Sequence, residues 1–279
     1  MPGIFDLLHN GWNLLTKNIR VYQYYLIVFF VLSMITNIFG TFYGPTEGTI
    51  LAQNWNELLS YGLVALPLAL ALFYVTLALM RAMYRRLHKE SVTHTKNLTV
   101  TGQRLISSVV AYVLTVAIIS AGGLLLFYAG FMTAGGALFV GVENLPTSLW
   151  IQVALSFLLV IVGMAALVWF IFAYLEVLFE NKGPIKALKA SYRLVKGRWW
   201  LIFWLTTATS LILSALGYLI SSVGDSLITV LLLQSTLGAS SPTPLLSSVT
   251  ISTLTALLIT PWGYCVSLYI YDAAKKTRS

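Results

Sequence analysis

Lys186, Lys189, Arg193 and Lys196 follow one another at spacings of three, four and three, which on a helix of 3.6 residues per turn aligns four cations in one stripe. The chemistry open to such a stripe is attraction of something acidic, and beside a membrane that means anionic lipid. Glu176 and Glu180 are four apart and share a helix face. Carboxylates inside an apolar run can carry protons or hold cations, although pairing with Lys182, Arg81 or Arg85 is the simpler expectation. The stretch TPWGYCVSLYIY, residues 260–271, brings Tyr264, Ser267 and Tyr269 into another apolar run. These hydroxyls line a substrate cavity or serve hydrogen bonds between helices. Glu176, Glu180, Tyr264 and Ser267 thus make up the candidate intramembrane polar cluster.

Other chemistries lack their residues. His88 and His94 share one connector, but with no third ligand nearby they read as solvated loop residues and no metal site is expected. Asp272 and Lys276 have the spacing of a surface ion pair. Asn97-Leu-Thr matches a glycosylation acceptor, which a cytoplasmic position would rule out. No Gly-rich phosphate loop with a following Lys occurs, and no nucleophile elbow. The chain is expected to be non-catalytic and to need no cofactor.

The elements that carry these residues follow from composition. Apolar residues make up 58% of the chain and charged residues 9%, against about 25% charged in an average soluble domain. A hydrocarbon core about 30 Å thick takes roughly 20 apolar residues in a helix. Six charge-free runs qualify: Val21 to about Thr41, about Leu58 to Met80, a run starting at Leu105, about Leu149 to Leu175, Trp199 to about Ser221, and about Leu245 to Tyr271. Each is too long for a strand of a membrane barrel. The expected fold is all-α, a polytopic membrane protein with six transmembrane helices.

The charges orient it. Two Lys or Arg precede the first run, six lie between the second and third, six between the fourth and fifth, and three follow the sixth, accounting for all 17. The alternate connectors hold only Glu47, Glu57, Glu143 and Asp225. The positive-inside rule then makes the basic side cytoplasmic, with both termini inside, in a cell (inner or plasma) membrane. Topology thereby accounts for the basicity, and nucleic acid is not an expected partner. An extra span would break this pattern, so residues 121–141 are read as a helix end plus a re-entrant or interfacial stretch, and Leu227 to Leu233 as an outer loop element. The first apolar run is too long for a signal-peptide core, and the N-terminal segment is expected to be retained. Cys265 is the single cysteine, so no intramolecular disulfide is possible.

Ile185, Leu188, Tyr192, Val195 and Trp199 form an apolar stripe beside the basic one, the pattern of a helix lying in the membrane interface, with Gly183 and Pro184 as its start. Phe5, Leu8, Trp12, Leu15 and Ile19 repeat that spacing. A weaker copy, TKNLTVTGQRL, precedes the third run. Three parallel helix-hairpin repeats are expected, about 1–90, 91–180 and 181–279, with interfacial amphipathic helices on the cytoplasmic side. Pro67 and Pro261 interrupt the second and sixth runs, where kinked helices shape a bundle or line a path.

At FENKGPIKALKASYRLVKGRWWLIFWL the sequence resembles a widespread group of prokaryotic six-helix membrane proteins that includes the membrane domain fused to some glycerophosphodiester phosphodiesterases. The matching positions are Glu180, Ala187, Ser191, Leu194, Lys196 and Gly197. The resemblance implies a helical membrane domain and no activity, since the phosphodiesterase chemistry resides in a separate soluble barrel. Three functions fit: a membrane-organising or lipid-associated protein, which the basic interfacial helix favours; a transporter or permease component with a polar path near the second and sixth helices; or a scaffold. Expected partners are membrane lipids, and a membrane-protein partner or a second copy of the chain.

Overall fold

The computed structural model describes residues 2–43, 55–140, 158, 161–163, 165–235 and 243–277. Among them are eight α-helices: α1 Ile4–Lys17, α2 Ile19–Tyr43, α3 Trp55–Leu87, α4 His94–Val140, α5 Ala173–Glu180, α6 Pro184–Val195, α7 Trp199–Ser235 and α8 Thr243–Lys276. Six stretches are long and apolar enough to cross a membrane: Ile19–Thr41, Leu59–Leu87, His94–Ile118, Ile161–Glu180, Trp199–Gly224 and Thr250–Lys276. The chain has the make-up of a multi-pass membrane protein.

Two sequence expectations are corrected. Residues 121–140 are the continuation of α4, and Leu227–Leu233 lies inside α7, so neither is a separate re-entrant or loop element. An unbroken helix satisfies its own backbone hydrogen bonds, and nothing in either apolar run forces a stop. TKNLTVTGQRL is likewise the first turns of α4 rather than a helix of its own. Glu47, Glu143 and residues 149–157 of the fourth run lie outside the described residues.

The chain forms two compact units. The first comprises Met1–Gly102 and Trp204–Ala273, the second Gln103–Phe203 and Ala274–Ser279. Within the first, α2 packs along α3. Helix α2 turns Tyr22, Tyr25, Leu26, Phe29 and Ser33 inward and leaves Ile27, Val31 and Ile35 exposed, so an all-round apolar helix buries one stripe and offers the rest to lipid. Helix α1 packs on α8: Trp262 Nε1 donates to Leu8 O at 2.9 Å, and a Cβ at Gly11 would lie 2.8 Å from Val266 Cγ2. The start of α4 is fastened by buried Asn97, whose Nδ2 donates to Ala78 O at 2.7 Å and to Tyr25 Oη at 2.9 Å.

In the second unit, residues 165–170 are helical, Ile171 and Phe172 form a turn, and α5 follows. Helix α6 packs on α5, with Ala111, Val177 and Ala187 in one buried cluster. Asn181 closes α5 in the left-handed conformation, φ 54°. Gly183 and Pro184 open α6 as the sequence predicts. Gly197, at φ +86°, turns the chain into α7, a backbone conformation that glycine adopts without strain.

Candidate functional site

The face of α6 that packs inward consists of Ala187, Ser191, Leu194 and Val195. Ser191 does the most specific work. Its hydroxyl donates to Trp169 O at 2.7 Å and accepts from Phe172 N–H at 3.2 Å. A side chain is thus inserted into the hydrogen-bond ladder of the fourth span at the turn before α5, the kind of insertion that breaks a helix. Nearby, Trp199 Nε1 donates to Ala165 O at 3.3 Å. The backbone groups around an interrupted helix are met by neighbouring side chains, as an apolar surrounding requires.

The opposite face carries the charge. Lys186, Lys189, Arg193 and Lys196 are all exposed. Lys182, one turn ahead of the helix, pairs with Glu176, whose side chain is only 2% exposed. A cavity of about 320 Å³ is lined by Lys182, Lys186, Lys189, Ala190 and Arg193. A second, of about 290 Å³, is lined by Arg193, Leu194, Lys196, Gly197 and Arg198. Arg198 is already engaged, with contacts to Thr277 Oγ1, to Thr277 O at 2.6 Å and to Ala274 O at 3.4 Å.

Glu176 and Glu180 belong to this unit and have separate partners. Glu176 meets Lys182 as the sequence suggests, and Glu180 meets Lys275. Arg104 donates to Leu178 O, one of the last carbonyls of α5, which the helix itself leaves without a partner. These residues therefore build the charged end of α5. Tyr264 and Ser267 lie half-buried on α8 in the other unit. Between them Cys265 is buried, its Sγ 3.6 Å from Met83 Sδ.

His88 and His94 are exposed, as the sequence suggests, whereas Asp272 differs from its sequence reading. Asp272 is buried rather than part of a surface pair, and its carboxylate lies 3.2 Å from His88 Nε2. His94 opens α4, with Nδ1 3.2 Å from Tyr25 Oη. His88 and His94 thus hold different partners. Asn97 is fully buried, which closes the glycosylation question by itself. Among the described residues no three His, Cys, Asp or Glu come together as a metal-binding group.

The sequence pattern missed Ser191 and Asn97. Both are polar residues on the inward side of helices that were read by their apolar stripes. Their signal was the polar gap within an otherwise apolar run. The stripe itself divides: Leu8, Leu15 and Val195 are buried, whereas Phe5, Trp12, Ile185 and Tyr192 stay exposed.

Residues 49–273 match a family described as a domain of unknown function (DUF7847). No curated protein and no solved structure matches the chain.

Proposed function

We propose that this chain, which belongs to the DUF7847 family, is a non-catalytic multi-pass membrane protein that holds anionic lipid against the outward face of α6. The observation that carries the reading is the division of that helix. Its inward side is spent on packing, and Lys186, Lys189, Arg193 and Lys196 stand exposed together. Each Lys or Arg near an anionic leaflet contributes on the order of 1 kcal/mol. With every basic connector on one side, this face is cytoplasmic and both termini are inside, in the cell membrane.

Three parallel units of about 90 residues form the scaffold. In support, Leu7, Asn97 and Ala187, spaced 90 apart, are all fully buried. So are Thr101 and Ser191, and Gly11 at the matching position is buried too. Gly11 lies against Val266 of α8, Asn97 bonds Ala78 of α3, and Ser191 bonds Trp169 and Phe172 ahead of α5. The resemblance to six-helix prokaryotic membrane domains is of this kind: Ala187, Ser191, Leu194 and Gly197 serve packing and turning, and such a motif travels with a fold rather than an activity.

The test is to change Lys186, Lys189, Arg193 and Lys196 to Gln and weigh the anionic lipid that co-purifies from native membranes. A loss of about tenfold or more is expected; unchanged lipid would count against the proposal. Orientation is tested separately. In a Cys265→Ser background, single cysteines at Lys89 and Lys276 should react with an impermeant thiol reagent only when the cytoplasmic side is open to it.

A further inference from the structure

The four cations of the α6 stripe do not share one environment, and this sharpens the lipid-facing reading on which the following rests. Three of them, Lys186, Lys189 and Arg193, line one cavity together with Lys182, which was not part of the stripe. Lys196 lies in the neighbouring cavity with Arg198, whose guanidinium is taken up by Thr277 and Ala274 O. Lys186, Lys189 and Arg193 follow spacings of three and four along one side of α6, and Lys182 reaches the same cavity from the turn ahead of the helix. The carboxylate of Glu176, 2% exposed, fixes the Lys182 ammonium from behind and occupies one of its three donors. The cavity, at about 320 Å³, falls at the lower end of small-ligand sites, about 300–1,000 Å³.

The fold does not require this charge. At the positions 180 residues earlier stand Pro2, Asp6, His9 and Asn13, and at those 90 earlier Val92, Lys96, Thr99 and Gln103. The packing positions 7, 97 and 187 and 11, 101 and 191 are buried in all three places, yet only α6 gathers four cations. The cavity on α1 is an apolar one, lined by Leu8, His9, Trp12 and Trp262.

We infer that Lys182, Lys186, Lys189 and Arg193 form one discrete site for a phosphate group, supplied by a phospholipid headgroup. Phosphate suits it because donors arriving from a helix face, from the residue before the helix and from a planar guanidinium meet a tetrahedral set of oxygens. A diffuse basic surface would treat all anionic headgroups of equal charge alike.

Native mass spectrometry of the full chain in neutral, phosphate-free detergent micelles tests this, with phosphatidylglycerol, oleate or inorganic phosphate as the probe. The expected result is a saturable one-to-one adduct with phosphatidylglycerol and little with oleate. It should weaken tenfold or more in K186Q/K189Q and persist in K196Q. The double variant E176Q/K182Q, which removes the ion pair together and so leaves no lone buried carboxylate, should lose it as well. A one-to-one adduct with inorganic phosphate alone, following the same variant pattern, also supports the phosphate site and makes its source soluble. Equal adducts with phosphatidylglycerol and oleate, with K196Q losing as much as K186Q or K189Q, about fivefold each, would overturn the site while leaving the general lipid reading standing. Absence of any anionic adduct would overturn both.

Discussion

Helix α1 buries Leu7, Gly11, Leu14 and Leu15, and helix α6 buries Ala187, Ser191, Leu194 and Val195 at the positions 180 residues further on. Aromatic residues also correspond: Trp12 meets Trp262 edge-on at 5.2 Å, and Tyr192 meets Trp169 edge-on at 5.6 Å. The other sides of the two helices diverge. Asp6 of α1 turns its carboxylate back to accept from Gly3 N–H at 3.2 Å, so the helix closes its own N-terminus. The first turn of α6 has no acidic residue, and Lys186 stands where α1 has Asp6. Packing is held in common, so the difference in charge reports on what each helix meets outside the protein.

The inward side differs in one respect that the largest effect should expose. Helix α1 approaches its neighbour through the absence of a side chain at Gly11, whereas α6 does so through a hydroxyl that enters its neighbour's backbone. Ser191→Val would leave Phe172 N–H and Trp169 C=O without that partner and should cost about 2–4 kcal/mol in reversible unfolding in micelles, since each buried unmet group costs about 1–3 kcal/mol. If Ser191→Val is as stable as the wild type, the inserted hydroxyl is not what holds the interrupted helix. Gly11→Ala should cost about 1–3 kcal/mol by overpacking, because the new Cβ would meet Val266 Cγ2 at 2.8 Å and Val266 N at 3.3 Å. A smaller cost, about 1 kcal/mol, is expected for Gly197→Ala at φ +86°. Gly183→Ala, whose Cβ would meet nothing within 4 Å, should cost about 0.5–1 kcal/mol, because alanine caps a helix N-terminus less well than glycine. Asp6→Asn should weaken the α1 cap by about 0.3–1 kcal/mol. Lys186→Gln at the matching position should leave stability unchanged within about 0.5 kcal/mol.

The spans were legible because apolar run length and the placement of every Lys and Arg are one-dimensional properties. Helices α4 and α7 run past their expected ends because the charge pattern, which an extra span would break, counts spans but does not say where a helix stops, while helical backbone continues wherever its residues allow. Gly183, Pro184 and the basic stripe of α6 were readable from local geometry alone. Ser191, Asn97 and Asp272 were not, since each owes its role to a group far along the chain: Trp169 and Phe172, Ala78 and Tyr25, and His88. Lys182 was seen as a partner for Glu176, but its place in a cavity with Lys186, Lys189 and Arg193 depends on how the turn after α5 directs the chain into α6.

In the proposed arrangement the outward face of α6 carries lipid while its inward face carries the fold. Writing the α1 residues onto α6, as Lys186→Asp, Lys189→His, Arg193→Asn and Lys196→Thr, separates the two, with anionic lipid per chain measured after purification from native membranes alongside the unfolding midpoint. Bound anionic lipid is expected to fall about tenfold or more while the midpoint stays close to that of the wild type. Unchanged lipid on a chain that remains folded would contradict that arrangement.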